Sequence, residues 1–139
     1  MGGHALVLVL AGLAACGAPL QTVQIVNRTN RAIEEVYVYP SGAADHGRSR
    51  GQLQPNGATQ VQVKPGFVEV LAVSAKLQVD EHTRDRPSAS QGVEVHGPVQ
   101  VVFYDEASKP AGLDRPGVFG VAFVIPKPKP PEPAPEQSP

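Results

Sequence analysis

The chain has 139 residues, which is enough for one small domain, and its 14 Gly and 15 Pro predict many turns and extended segments. Twelve Lys and Arg residues oppose thirteen Asp and Glu residues, so the net charge at pH 7 is −1. This balance excludes the broad basic surface typical of nucleic-acid-binding proteins, and we expect no nucleic-acid partner. The single cysteine excludes an intrachain disulfide.

The amino-terminal segment is apolar but short. Residues 5–15 form a run of eleven apolar or small residues, and no Lys or Arg precedes them. A membrane-spanning helix needs about 20 apolar residues, whereas the apolar part of a secretory signal has about 7–15. The pattern therefore predicts that residues 1–15 are a signal peptide.

This run ends in "LAAC" (13–16), which resembles the lipobox of bacterial lipoproteins. The resemblance implies cleavage before Cys16, a diacylglycerol on its thiol and an acylated new amino terminus, so that Cys16 anchors the chain in a membrane. Because Gly17 rather than Asp follows, the sorting rules of that family imply the outer membrane or a periplasm-facing position in the bacterial cell envelope. The alternatives are a secretory signal in which Cys16 has no role, or a buried apolar amino-terminal segment.

Residues 16–22 are predicted to be the lipidated amino terminus and tether, and residues 23–125 a single domain. Segments with alternating or β-branched apolar residues are separated by turn residues and show no helical period. This pattern predicts an all-β fold, a small antiparallel β-sandwich of about seven strands. The predicted strands are 23–27, 32–39, 59–64, 67–79, 93–96, 99–104 and 118–125.

Two predictions concern how these strands pack. The first two strands are expected to form a β-hairpin across the turn "NRTN" (27–30), because Asn tolerates turn conformations. The segment 67–79 is expected to turn one apolar face inward and to place Ser74, Lys76 and Gln78 outside. The residues predicted to face inward are Phe67, Leu71, Val73, Ala75, Leu77 and Val79.

The stretch from Val23 to Asp105 resembles small secreted bacterial β-sandwich domains of uncharacterised type. The resemblance is carried by "IVNRTNRAIEEVYVYPSG", "LQPNGATQVQV" and "FVEVLAV", with a Gly-rich loop after the first of them. It implies the sandwich fold and no particular activity, because one fold hosts many functions.

Two long polar loops, 40–57 and 80–91, contain the predicted binding residues. Long loops in compact domains are often functional, and guanidinium groups bind anionic groups through paired hydrogen bonds. If both loops lie at the same end of the sandwich, we expect that end to bind an envelope protein or a glycan. The predicted binding residues are Arg48, Arg50, Arg84 and Arg86.

The second loop also contains a candidate metal site made of Asp80, His82 and Asp85. Carboxylate oxygens and an imidazole could bind a divalent cation, and the chain would then be a metal-assisted hydrolase. The spacing matches no EF-hand or zinc motif, however, and Arg84 and Arg86 would oppose a cation. The interpretation adopted is a solvated loop of paired charges, with no cofactor and no enzymatic activity.

The carboxyl-terminal segment 126–139 reads "PKPKPPEPAPEQSP", and half of its residues are Pro. Such a composition favours an extended polyproline II conformation and cannot build a sheet. The segment is predicted to be a disordered tail. The alternative is a spacer or docking element, which would make the protein an accessory subunit of an envelope complex.

Overall fold

The computed structural model describes residues 18–127. The predicted signal peptide, Cys16 and the tail from residue 128 onward lie outside the described residues. Within them the chain forms nine strands and one short 3₁₀ turn, Glu106–Ser108. The strands are β1 (Gln21–Asn27), β2 (Ile33–Pro40), β3 (Ala58–Val63), β4 (Gly66–Ser74), β5 (Leu77–Gln78), β6 (Arg84–Asp85), β7 (Ser88–Val95), β8 (Val99–Asp105) and β9 (Val118–Phe123).

Two sheets enclose one apolar core, which confirms the all-β prediction. A four-stranded sheet has the order β3-β1-β8-β9, and a three-stranded antiparallel sheet has the order β2-β4-β7; β5 and β6 form a separate short ladder. Buried side chains of both sheets form a single cluster, in which Phe103, Phe123, Ile25 and Ile33 are the largest. The domain is thus a sandwich in which the inward face of each sheet covers the other.

The four-stranded sheet is mixed, although antiparallel pairing was expected. β8 lies parallel to both β1 and β9, as in the pairing of Ile25 with Val101. Parallel neighbours need a long crossover, because a tight turn only joins antiparallel strands. Between β1 and β8 the chain builds the whole three-stranded sheet. Leu113, in the connection between β8 and β9, packs against Gly120 of β9. The contact is so close that a Cβ added at Gly120 would lie 2.8 Å from Cδ1 of Leu113.

The predicted hairpin between residues 23–27 and 32–39 is wrong. β1 pairs with β3 and β8, whereas β2 lies in the other sheet and pairs with β4. The residues between them therefore carry the chain from one layer of the sandwich to the other. The physical reason is a buried polar side chain at the end of β1.

Asn27 is fully buried and organises this crossing. Its Nδ2 lies 2.7 Å from the carbonyl oxygen of Arg31, 3.1 Å from that of Leu53 and 3.2 Å from that of Gln54. Its Oδ1 accepts a hydrogen bond from the backbone N–H of Thr29 at 2.9 Å. One amide therefore satisfies backbone groups of the crossing and of the loop before β3, which burial would otherwise leave unpaired.

Arg31, in the same crossing, joins the two sheets. Its Nη1 and Nη2 donate to the two carboxylate oxygens of Asp105 at 2.7 and 2.8 Å, and its Nε donates to Ser74 Oγ at 2.9 Å. The side chains of Arg31 and Asp105 are only 10% and 15% exposed, and the guanidinium carbon lies 5.8 Å from the ring centre of Phe123. Because Ser74 ends β4 and Asp105 ends β8, the guanidinium group of Arg31 connects the two sheets.

β4 presents to the core the face opposite to the predicted one. Phe67 is 62% exposed, while Leu71 and Val73 are half-buried. Both faces of this strand are apolar, so the alternation does not choose between them. Ser74 belongs to the buried face, where its hydroxyl accepts a hydrogen bond from Arg31. The buried residues are Val68, Val70, Ala72 and Ser74.

Part of the predicted polar loop 80–91 is strand. β6 lies inside it, and β7 begins at Ser88 rather than at residue 93. Ser88 pairs with Val73, so the ladder between β4 and β7 includes residues of polar sequence. β7 is an edge strand, and four of its first five residues are exposed, so this part carries no apolar alternation that would indicate a strand.

We expect Asn27→Ala to lower the free energy of unfolding by about 3 kcal/mol, because buried carbonyl groups would lose their donor. Equilibrium urea denaturation measures the change. The matched control is Asn30→Ala at an exposed position of the same turn, which should change stability by less than about 0.5 kcal/mol. Equal effects of the two substitutions would contradict this role of Asn27.

Candidate functional site

The long loop after β2 lies along the edge of that strand. The backbone N–H of Arg50 donates to the carbonyl of Val36 at 2.6 Å, and Ile33 and Leu53 exchange two backbone hydrogen bonds of 2.8 Å. Leu53 is buried in the core. The loop therefore acts as an irregular edge strand, and it occupies backbone groups of β2 that another chain could otherwise pair with.

Residues 47–51 read "GRSRG", which has the Gly-x-Ser-x-Gly spacing of a hydrolase nucleophile elbow. An elbow places its serine on a turn between a strand and a helix. Here the chain continues to β3, and Ser49 Oγ accepts from the backbone N–H of Val36 at 3.3 Å and of Gly51 at 3.2 Å. In this context the serine attaches the loop to β2.

An aromatic contact also holds this loop against the outer face of β2. The His46 ring centre lies 4.0 Å from that of Tyr37 and 6.3 Å from that of Tyr39. The Tyr37 hydroxyl donates to Glu35 Oε1 at 3.0 Å, and this hydrogen bond to a carboxylate raises the pKa of Tyr37 because only the neutral phenol can donate.

Arg84 and Arg86 hold together the segment between β4 and β7. Arg84 Nε donates to Gln78 Oε1 at 3.0 Å. Arg86 Nε donates to the carbonyl oxygen of Ser74 at 3.2 Å, and its Nη2 contacts the carboxylate of Glu34 on β2. Both guanidinium groups are therefore engaged in contacts within the domain.

The four predicted arginines are placed differently. Arg86 lies beside Ser74, the last residue of β4. The backbone of Arg50 lies opposite Val36 on β2, which pairs with Ala72, and Arg50 also lines the groove that contains Phe67. Arg48 is exposed in the segment beside β2. Arg84 and Arg86 are thus used in contacts within the domain, whereas Arg48 and Arg50 are exposed.

The predicted metal ligands Asp80, His82 and Asp85 are not gathered around a common point. Asp80 Oδ1 accepts the backbone N–H of His82 at 2.8 Å, and this hydrogen bond lowers the pKa of Asp80. Asp85 lies in β6, paired with Leu77. Across residues 18–127, no three acidic, His or Cys side chains lie close enough together to hold a metal ion.

A groove of about 370 Å³ lies at the end of the sandwich where β3 turns into β4. The rings of Tyr39 and the exposed Phe67 supply apolar surface, and Arg50 and Lys64 supply two cationic groups. Gly66 in the turn has a φ of +131°, a conformation that favours glycine. An apolar wall with two cations suits a ligand that combines an apolar body with an anionic group.

Sequence reasoning missed this groove because it assigned Phe67 to the core. The available signal was the turn Lys64-Pro65-Gly66 followed directly by an aromatic residue. That signal becomes informative only once β4 is known to turn its other face inward.

Comparison with protein families, with curated proteins and with solved structures found no significant match. Among the described residues, no helix has the length and apolarity needed to cross a bilayer. The site must therefore be interpreted from its own residues.

We expect Arg86→Ala to lower the free energy of unfolding by roughly 1 kcal/mol, because the half-exposed side chain bridges β2 and the end of β4. Arg48→Ala, at an exposed position, should leave stability within about 0.5 kcal/mol of the wild type. Thermal unfolding of both variants measures the difference. If Arg86→Ala were as stable as Arg48→Ala, the contacts of Arg86 would not be structural.

Proposed function

We propose that the protein is a lipid-anchored domain of the bacterial cell envelope, attached at Cys16, with a binding or structural role. The observation that carries the proposal is "LAAC" (13–16) behind a short apolar run. Four residues separate Cys16 from Gln21, where β1 begins. A compact domain that starts immediately after the cysteine suits a membrane-anchored passenger.

Acyl chains at Cys16 would attach the domain to the membrane. Each methylene buried in the bilayer contributes about 0.8 kcal/mol, one chain binds only marginally, and several chains bind stably. The segment from Cys16 to Gln21 can span at most about 17 Å when fully extended. The sandwich would therefore be held next to the membrane surface.

The binding role is supported by the groove at the start of β4. It combines an exposed aromatic ring, Phe67, with the cationic groups of Arg50 and Lys64. The residues of the alternative hydrolase, by contrast, are dispersed over the segment between β4 and β7. The groove therefore supports recognition as the proposed role.

We expect Cys16→Ser to move the protein from the membrane fraction to the soluble fraction and to abolish acylation of the amino-terminal peptide in mass spectrometry. The reason is that the lipobox-type modification attaches the lipid to a thiol, and Ser carries a hydroxyl instead. Ala18→Ser, an equally small change two positions later, should leave both properties unchanged. Recovery of the wild-type chain from the soluble fraction with Met1 and a free thiol would overturn the proposal.

A second candidate is an accessory subunit that docks through the Pro-rich tail. It is favoured by the parallel arrangement of β1, β8 and β9, which places the start of β1 and the end of β9 at opposite ends of the sheet. Residues 126 and 127, where the tail begins, therefore follow the end of the sheet opposite to the start of β1. Fourteen residues in a polyproline II conformation could reach about 40 Å farther.

For this candidate we expect truncation after Ile125 to remove a crosslinked neighbour while leaving the protein in the membrane fraction. The reason is that the truncation leaves β1 to β9 complete and removes only residues that follow β9. Crosslinking and mass spectrometry in native membranes, with the full-length chain as control, measure this. An unchanged set of crosslinked neighbours would contradict the second candidate.

A further inference from the structure

Three large apolar side chains stand out as exposed among residues 18–127, and two of them lie at the same end of the sandwich. Leu20 is 55% exposed and Phe67 is 62% exposed, while Val124, at 69%, follows the end of β9. Gln21 pairs with Val63, the last residue of β3, so Leu20 and Phe67 both flank the turn between β3 and β4. We call this the anchor-side end; Val124 marks the opposite end.

The tether limits which end of the domain can touch the membrane. β1 has seven residues and is about 20 Å long. The extended segment from Cys16 to Gln21 spans at most about 17 Å. If the opposite end faced the bilayer, this segment would have to run back past the full length of β1, which it cannot do. The tether therefore excludes the opposite end and keeps the anchor-side end near the surface.

The chemistry of this end fits a lipid surface. Lys64 lies in the turn between the two strands, and Arg50 lines the adjoining groove with Tyr39. At the anchor-side end, cationic groups could bind lipid phosphates, while the aromatic and aliphatic side chains could enter the boundary between headgroups and acyl chains. The two kinds of group stand next to each other, as in proteins that lie on a membrane.

We propose that the anchor-side end is a membrane-contact surface, with Leu20 and Phe67 inserted into the interfacial layer and Lys64 and Arg50 at lipid phosphates. This inference rests on the proposed lipid anchor at Cys16. It assigns the groove beside Phe67 to the bilayer, so that a lipid surface rather than a soluble ligand occupies it. The opposite end, with Val124 and the start of the Pro-rich tail, then faces away from the membrane.

The absence of Trp from the sequence permits a direct test. Phe67→Trp and Val124→Trp each introduce a single fluorescent indole at an exposed position, so neither substitution disturbs the core. The full chain of each variant, purified from membranes, is placed in vesicles of phosphatidylcholine and phosphatidylglycerol whose acyl chains carry bromine. We expect the bromolipid to quench the Phe67→Trp variant at least about twofold more than the Val124→Trp variant, because interfacial insertion reaches about 5–10 Å deep.

The outcomes separate this inference from the proposed function. Mass spectrometry of the same preparations reports whether Cys16 is acylated. Acylated chains in which both indoles are quenched equally, or the one at position 124 more strongly, overturn the membrane-contact surface and leave the anchor intact. A chain without an acyl group overturns both. Acylation together with preferential quenching at position 67 supports both.

Discussion

The architecture of this domain depends on one buried polar crossing between the two layers of the sandwich. Asn27 hydrogen-bonds the carbonyl groups of Arg31 and Leu53, and Arg31 binds Asp105 and Ser74 with its guanidinium group. A buried amide and a largely buried charge are costly unless every polar atom has a partner. No buried side-chain polar atom within residues 18–127 lacks a partner. The crossing therefore specifies which strands join which sheet.

The direction of the chain through the mixed sheet gives the domain two different ends. Because β1, β8 and β9 are parallel, the chain enters at the β3–β4 turn and leaves at the other end, beside Asp105. If the last strand ran antiparallel to β1, it would end at the same end of the sheet at which β1 begins. The anchor, the groove beside Phe67 and the Pro-rich tail thus follow one another along a single axis in the proposed arrangement.

The apparent binding loops have a structural role in the described part of the chain. Loops this long usually lie on the surface and vary in conformation. Here the first loop covers the edge of β2 through Leu53 and Arg50, and Arg86 in the second contacts Glu34. An exposed edge strand invites pairing with another molecule, so covering it protects a small sandwich that has no disulfide. Two of the arginines predicted to bind a ligand, Arg84 and Arg86, instead make contacts within the domain.

Particular residues show how far sequence reasoning reached. The apolar alternation in residues 59–64 and the turn at Lys64-Pro65-Gly66 depend on local chemistry, and both were predicted at the right positions. The inward face of β4 was predicted wrongly because Leu71 and Val70 are equally apolar. In the structure the buried face is the one that carries Ser74, which contacts Arg31, 43 positions away in the chain. The groove was missed for the same reason, since it needs Phe67 on the outside.

The amino-acid sequence by itself determined the all-β class, the turn at residues 64–66 and the lack of an internal disulfide, because each follows from local conformational preference or from composition. Tertiary structure alone decided the sheet membership of β1 and β2, the parallel pairing of β8 and the contacts of Arg84 and Arg86 within the domain. These features depend on hydrogen bonds between residues far apart in the chain. Alternating patterns specify how a strand is buried but not which strand lies beside it.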